Sequence, residues 1–518
     1  MTQKTTEESV KETLESLVIA FVLAFVFRAY VVEAFVIPTG SMAPTLLGQH
    51  IRLTSEQSGY QYQVDLPELP QMMERARQVG ALDPMTGAAT RLDNARVSPG
   101  DRILVLKYIY EFTDPKRWDV VVFKDPKDPK TNFIKRLVGL PNEQLAILDG
   151  NIYTRPLTAT ADADWRIARK AQRPKVQRAV WQPIYHSQYI PLDEGSRARR
   201  GPGVPAWNNP WRPTNPSGWN IENRRSYQLT ADQGELRFDF ETANLDRYGA
   251  RYAYNQFSPE TTEEQIEDIR LAIDITPQSD AQTLWFETTA RLNDPHTPVE
   301  RLRLTITSDG SVLLEAPDRT DATQRLLNRG QIPPLPAKQH THLEWWVVDQ
   351  QVIVWQDGDQ ILNWSFDLPL QTIIDRGAPP ELPQIGLGIA GGSALIHKIE
   401  LDRDLYYANA GRGTGHATAG IVRIGNNTQG TPLTINDDEF FTVGDNSPRS
   451  ADGRYWTQID PWVQQNYFPQ GRDGRGIVPR KLLIGKAFFV YFPAYFPLYA
   501  QAPWYMSAPN FGDLRMIH

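Results

Sequence analysis

The sequence predicts a mainly β protein: an all-β unit behind one N-terminal transmembrane helix, interrupted by an inserted β-sandwich of jelly-roll kind. Three observations predict it. An uninterrupted apolar run, Leu17 to Phe27, stands near the start of the chain. Short apolar segments broken by turn residues follow it and return near the end. Between about 155 and 425 lies a long stretch of period-2 alternation, with turn signals at the spacing of a sandwich. With 518 residues, 41% hydrophobic and 10% aromatic, the chain has apolar material for more than one packed core.

The elements are expected in this order. Residues 1–13 form a cytoplasmic tail and 14–32 a membrane anchor, because the apolar run with its Arg28 to Val32 extension reaches the roughly 20 residues that a bilayer-spanning helix needs. Four glutamates precede it (Glu7, Glu8, Glu12, Glu15) and no small-x-small site follows, so it reads as uncleaved rather than as a signal peptide. Glu33 to Ile37 is a short strand that breaks at Pro38 and Gly40. Strands resume at Asp101–Tyr110, Trp118–Lys124 and Phe133–Val138, followed by a hairpin at Leu148-Asp149-Gly150-Asn151. A polar interruption at 53–97 has its most helical stretch at Met72–Asp83. The first β unit is therefore expected to be discontinuous, 33–154 plus 426–493. The sandwich fills 155–425, with a Pro-rich connector at 199–219, and an aromatic tail covers 494–518. Within the sandwich, Gly234–Phe240, Leu284–Leu292 and Leu302–Ala316 alternate. Val347–Phe366 and Ile385–Tyr407 resemble the late strands of a concanavalin-like or laminin-G-like jelly roll.

Composition removes several functions. A net charge of −7 gives no broad basic face, so no nucleic-acid partner is expected. The chain has no cysteine, which excludes disulfides, thiolate nucleophiles and cysteine-ligated zinc. Leu53 to Tyr60 looks like a zinc knuckle with Ser55 and Ser58 in both cysteine positions, and hydroxyls do not replace thiolates there. His340 and His342 read as surface residues, and Asp357, Asp359, Asp402 and Asp404 as solvated turn acids. No metal and no cofactor is expected.

Three segments remain: IPTGSMAPTL around Ser41, WDVVVFKDPKDPKTNFIKRLVGLP containing Lys135, and VGDNSPRSADGRYW ending at Trp456. In this order, behind an anchor, they resemble the bacterial type I signal peptidases of family S26. The resemblance implies that Ser41 is the nucleophile and Lys135 the general base. It implies an oxyanion hole from the Ser41 backbone N–H and the Thr39 hydroxyl. It further implies that Ser450 orients the lysine amine, that Asp452 and Arg454 form a supporting ion pair with Gly444, Asp445 and Asn446 in the same support, and that Phe35, Ile37 and Ile134 line shallow substrate pockets. Where relatives read Asp-Ser-Arg this chain has Asp452-Gly453-Arg454, which is expected to loosen local packing. The implied activity is removal of Ala-x-Ala-type signal peptides from exported preproteins, by an enzyme of the inner cell membrane whose catalytic unit lies outside the cytoplasm. The bilayer is then a partner, with a glycan or protein ligand open to the sandwich.

The residues agree chemically with this resemblance. A serine hydroxyl needs a neighbouring base, and all eight histidines avoid the three segments. A lysine near pKa 10.4 must be buried to serve. In Phe133–Val138, alternation puts Phe133, Lys135 and Leu137 on one face and Ile134, Arg136 and Val138 on the other. A Ser-x-x-Lys penicillin-binding enzyme is ruled out, because no lysine has a serine three residues before it. The alternative from another class is a non-catalytic surface binding protein that uses the sandwich.

Overall fold

A computed structural model describes residues 6–66, 80–92, 97–191, 207–223, 225–240, 253–256, 267–292, 300–317, 324–376, 383–407, 432–494, 496–497, 507–508 and 510–518. Helix α1 (Thr6–Tyr30) opens the chain. Its apolar side chains at Leu17, Val18, Ile19, Phe21, Val22, Leu23 and Phe25 are all exposed. Among the described residues no helix is long and apolar enough to cross a membrane. The expected span at 14–32 overlaps α1, and the side chains at 24 and 26–30 lie outside those described.

The first β unit is one antiparallel sheet assembled from both ends of the chain. Its strands are β1 (Val32–Val36), β2 (Arg102–Lys107), β3 (Val120–Asp125), β4 (Asp128–Gly139), β5 (Glu439–Val443), β6 (Ile477–Pro479) and β7 (Leu483–Phe492), in spatial order β1-β2-β7-β3-β4-β5-β6, and Arg515–Met516 of the expected tail pairs with β7 as an eighth. Two apolar clusters pack on it. One gathers Phe123, Leu137, Val138, Phe441 and Trp456; the other gathers Ile37, Met42, Ile103, Val122 and Val490. At the centre, β4 lies between β3 and β5, with Lys135 opposite Val121 and Arg136 opposite both Val120 and Val443. Alternation along β4 holds through Leu137. The pairing with β5 then shifts register, from Thr442 opposite Leu137 to Phe441 opposite Gly139. This bulge turns Val138 into the cluster that already holds Leu137, not to the opposite face as alternation alone predicts.

The hairpin at 148–151 forms as expected. Leu148 pairs with Asn151 across Asp149 and Gly150, both at positive φ (48° and 76°), which is the backbone that a two-residue Asp-Gly turn supplies. Its sheet continues through Arg166–Ile167 on one side and Leu433–Ile435 on the other.

The interruption at 53–97 contains small sheets: His50–Thr54, Gln61–Asp65 and Val97–Ser98 form one, Ala81–Leu82 and Ala89–Thr90 another. Residues 72–79 of the expected helix lie outside those described. Where the serine knuckle closes, buried Ser58 and Thr86 both donate to Asp83 Oδ2, at 2.6 and 2.8 Å, and the Ser58 N–H reaches Ser55 Oγ at 3.3 Å.

The middle of the chain is a two-sheet sandwich. The first sheet runs from Trp219–Asn220 through Tyr227–Leu229, Ala394–Arg403, Ile269–Pro277, Thr341–Val348 and Gln351–Gln356 to Asp359–Ser365. The second runs from Trp211–Pro213 through Gln233–Phe238, Ile385–Ala390, Thr283–Ala290, Glu300–Ile306 and Ser311–Pro317 to Gln324–Gln331. Leu271, Phe286, Leu304, Trp345 and Leu387 fill the space between them. Trp207, Trp211 and Trp219 are buried in this core, so the described half of the Pro-rich connector is sandwich rather than linker. His342 is held between Asp274 (2.5 Å) and Glu344 (3.3 Å), and Asp402 pairs with Arg270.

Lys170 ties this sandwich to the segment leading into it. Its buried amine reaches Asp349 at 2.7 Å and Asp404 at 2.9 Å, beside Asp268, the one cluster of acids among the described residues close enough to share a cation. The lysine supplies that charge itself. Removing it leaves buried carboxylates uncompensated. Lys170→Met is therefore expected to cost about 3–5 kcal/mol of stability, read as a fall in denaturation midpoint; an unchanged midpoint would show that the cluster is neutral without the amine.

Candidate active site

The site forms where the chain leaves β1 and meets β4 and the loop after β5. Beyond β1, the Ile37 N–H bonds to the Asp101 carbonyl at 2.9 Å, and the chain makes one tight turn, Gly40–Met42, closed by the Ala43 N–H to the Gly40 carbonyl at 3.0 Å. Asp101 pins the far side of this loop: buried, it accepts the Leu47 N–H at 3.0 Å and the Arg515 guanidinium at 2.8 Å. The turn presents Ser41 half-buried, with Thr39 exposed beside it and making no capping bond.

Across from the turn, Lys135 Nζ lies 2.8 Å from Ser41 Oγ and 2.9 Å from the Ile134 carbonyl, and stands over the Phe133 ring at 5.1 Å. Lys135 is 4% exposed. Burial lowers its pKa to about 8; Asp452, Asp125 and Asp445 pull it upward more weakly, and Arg454 works with the burial. Holding an amine that far below its ordinary value disfavours its charged form by roughly 3 kcal/mol. At pH 7 to 8 a substantial neutral fraction is therefore available to take a proton from Ser41.

The loop after β5 supports both groups. Asp452 and Arg454 form the expected ion pair, fully buried at 2.7 Å. Asp452 also accepts the Gly444 N–H at 2.8 Å, while Arg454 holds the Ser447 hydroxyl and carbonyl at 2.6 and 2.8 Å. Asn446 bonds to the turn itself, its N–H to the Ser41 carbonyl at 3.1 Å and its Nδ2 to the Gly40 carbonyl at 2.9 Å. Gly444 is required by proximity: a Cβ there would come 2.2 Å from Ser450 Oγ and 2.4 Å from the Ser41 carbonyl. Phe35, Ile37 and Ile134 share one apolar cluster beside the dyad; Phe35 and Ile134 are half-buried, whereas Ile37, at 2% exposure, lies beneath them.

Two expectations are corrected. Ser450 does not orient the lysine: its buried Oγ has no hydrogen-bond partner among the described residues, and the amine is bonded to Ser41 and to the Ile134 carbonyl instead. Gly453 does not loosen packing. A Cβ there would meet the Gly476 carbonyl and the Phe441 ring, both at 2.6 Å, so a serine has no room.

Sequence reasoning also missed two supports. Arg136, next to the lysine but on the other face, grips both oxygens of Asp445 at 2.7 and 2.6 Å, and Thr45 donates to the same carboxylate at 2.5 Å. Its signal was a charged residue in the centre of an apolar strand, which demands a buried partner. The other is Asn255, whose amide pairs with that of Asn446; nothing in its sequence surroundings marks it.

The family model described as "Signal peptidase, peptidase S26" matches residues 10–74, 93–192 and 401–492. Its two gaps fall in the small-sheet interruption and over the sandwich. Curated relatives are signal peptidases I of Rickettsia typhi, 29% identical over 149 residues, and Rickettsia bellii, 26% identical over 152. Each match covers 29% of this chain, and respectively 44% and 42% of the relative, so the chain spans under half the length of the curated relatives it matches. The resemblance to the S26 signal peptidases read from the three segments is borne out, and it belongs to the discontinuous β unit. Among solved structures, a Bacillus subtilis protein of unknown function with a galectin-like fold matches at TM-score 0.26 and 14% identity, covering 43% of this chain and 96% of that one. A carbohydrate-binding module from Bacillus subtilis matches at TM-score 0.23 and 11% identity, covering 38% and 96%.

Gly453→Ser, which restores the residue expected of relatives, should destabilise this chain by about 1–3 kcal/mol through overpacking. Thermal unfolding checks this, and a raised midpoint would contradict the close approach.

Proposed function

We propose that the chain is a serine endopeptidase of signal peptidase type, with Ser41 as nucleophile and Lys135 as general base. The observation that carries this reading is the 2.8 Å contact between a buried amine of lowered pKa and a serine hydroxyl on a tight turn. Ser41 Oγ attacks the scissile carbonyl as its proton passes to Lys135 Nζ, giving a tetrahedral intermediate. The Ser41 backbone N–H and the Thr39 hydroxyl donate to the oxyanion, each such donor being worth about 3 kcal/mol. Collapse breaks the C–N bond, and the Lys135 ammonium returns the proton to the departing amine. Water, deprotonated by Lys135 Nζ, then attacks the acyl carbon; the ester C–O bond breaks, and the Lys135 ammonium returns the proton to Ser41 Oγ.

Substrate is an extended segment. β1 stands at the edge of its sheet, so a preprotein strand can add beside it and place small side chains against Phe35 and Ile134. Such shallow apolar lining suits an Ala-x-Ala site. The exposed apolar side chains of α1, which ends at Tyr30 ahead of the Ser41 turn, support its use as the anchor, with the catalytic unit held at the extracytoplasmic surface of the inner membrane where exported preproteins emerge.

Ser41→Ala and Lys135→Ala should each abolish cleavage of an Ala-x-Ala preprotein while leaving the fold intact; near-normal cleavage by either variant would refute the dyad. Because the amine must be neutral to act and its pKa is lowered to about 8, kcat/KM should rise with pH and level off above about 8. A profile flat from pH 6 to 10 would remove the lysine from the reaction. A topology reporter fused near residue 450 should read as extracytoplasmic.

A further inference from the structure

The sandwich is not merely carried by the catalytic unit. Within the stretch between the two halves of the β unit, Tyr254 reaches the nucleophile turn, Asn255 reaches Asn446 in the loop that supports it, and Gln256 reaches Leu82 in the small-sheet interruption. Tyr254, buried, packs with Ala43 and Leu47, and its ring fills the space beside Gly40, where a Cβ would lie 2.5 Å from it. Gln256 takes the place of a strand against Leu82, donating to its carbonyl at 2.6 Å and accepting its N–H at 2.5 Å. Asn255, also buried, exchanges two hydrogen bonds with the Asn446 side chain: its Nδ2 donates to Asn446 Oδ1 at 2.6 Å, and Asn446 Nδ2 donates to Asn255 Oδ1 at 2.9 Å.

The last contact bears on the chemistry. Asn446 Nδ2 also holds the Gly40 carbonyl at 2.9 Å. The Gly40 carbonyl and the Ser41 N–H belong to one planar trans peptide and point in opposite directions, so fixing the carbonyl fixes where the N–H points. Asn446 grips the nucleophile turn twice, with Nδ2 at the Gly40 carbonyl and its backbone N–H at the Ser41 carbonyl, and the torsion of its amide about Cβ–Cγ has no sharp preference of its own. Asn255 settles it, because only one orientation of the amide satisfies both partners.

We propose that Tyr254 and Asn255 form a latch from the inserted region onto the nucleophile turn and its supporting loop, and that Asn255 is a positioning residue which acts through Asn446 to aim the Ser41 N–H at the oxyanion. The inference rests on the serine-peptidase reading. It makes the insertion a working part of the hydrolase: a catalytic unit with intact Ser41 and Lys135 but without the latch has a misdirected oxyanion donor.

The test uses the full chain, a preprotein-derived peptide with an Ala-x-Ala site, and three variants: Asn255→Ala, Asn255→Asp and Gln256→Ala. Loss of one well-aimed oxyanion donor typically lowers kcat by 10²–10³-fold. Misdirecting it should lower kcat of Asn255→Ala by about 10- to 100-fold, with KM within about threefold and the pH midpoint still near 8, because the amine is untouched. Asn255→Asp keeps the acceptor for Asn446 Nδ2 and should fall between the two. Gln256→Ala, which removes the hydrogen bonds to Leu82 and lies outside the latch, should stay within about threefold of wild type. Amide hydrogen exchange at 40–46 and 444–447 gives a readout independent of turnover and should accelerate in Asn255→Ala. A folded Asn255→Ala with wild-type kcat and unchanged exchange overturns the proposal. Should Asn255→Ala not fold, the same two measurements on Asn255→Asp decide it. An inactive wild type sinks the peptidase reading alone, while the exchange arm still judges the latch.

Discussion

The burial of one amine sets the demands on everything around it. Lys135 can meet Ser41 uncharged only if water is kept from Nζ, and the walls that exclude it come from its own strand, in the Phe133 ring, and from two distant parts of the chain, the turn after β1 and the loop after β5 some three hundred residues later. Yet those walls cannot be purely apolar, because the turn and the loop both have backbone groups to satisfy. The solution is a set of ion pairs that are complete in themselves. Asp445 is occupied by Arg136, and Asp452 by Arg454, so neither is free to draw a proton onto the lysine by direct contact. The residual field of Asp452, with those of Asp125 and Asp445, accounts for a pKa of about 8 rather than lower.

This arrangement explains why the site tolerates a long interruption. The strands that carry Lys135 and the support loop are neighbours in the sheet, paired through Leu137 and Thr442, while the chain between them leaves and returns through a second sheet edge. A sandwich with its own core can be threaded there, since the pairing depends on register and not on the length of the excursion. Lys170, Asp349 and Asp404 then anchor the two parts by a compact charge cluster of their own.

Much of this was legible in the sequence, and the limits were physical. Ser41, Lys135 and the Asp452–Arg454 pair could be placed because their motifs are contiguous and chemically unusual. Strand existence was legible from alternation, as was the 148–151 turn from Asp-Gly. What alternation cannot encode is a bulge, and so Val138 was assigned to the wrong face. Nor does a motif reveal how an amine divides its hydrogen bonds, which is why Ser450 was given a partner it does not have. Gly453 looked like a vacancy because the Gly476 carbonyl that fills the space comes from another loop. Asn255 was invisible, since its partner lies 191 positions away and a lone asparagine carries no pattern.

The knot of Ser55, Ser58, Asp83 and Thr86 has a further implication. Two facing loops are closed by hydroxyls converging on a single carboxylate. An element built this way holds no thiol to oxidise, so its shape is uncoupled from the redox state of the surrounding medium.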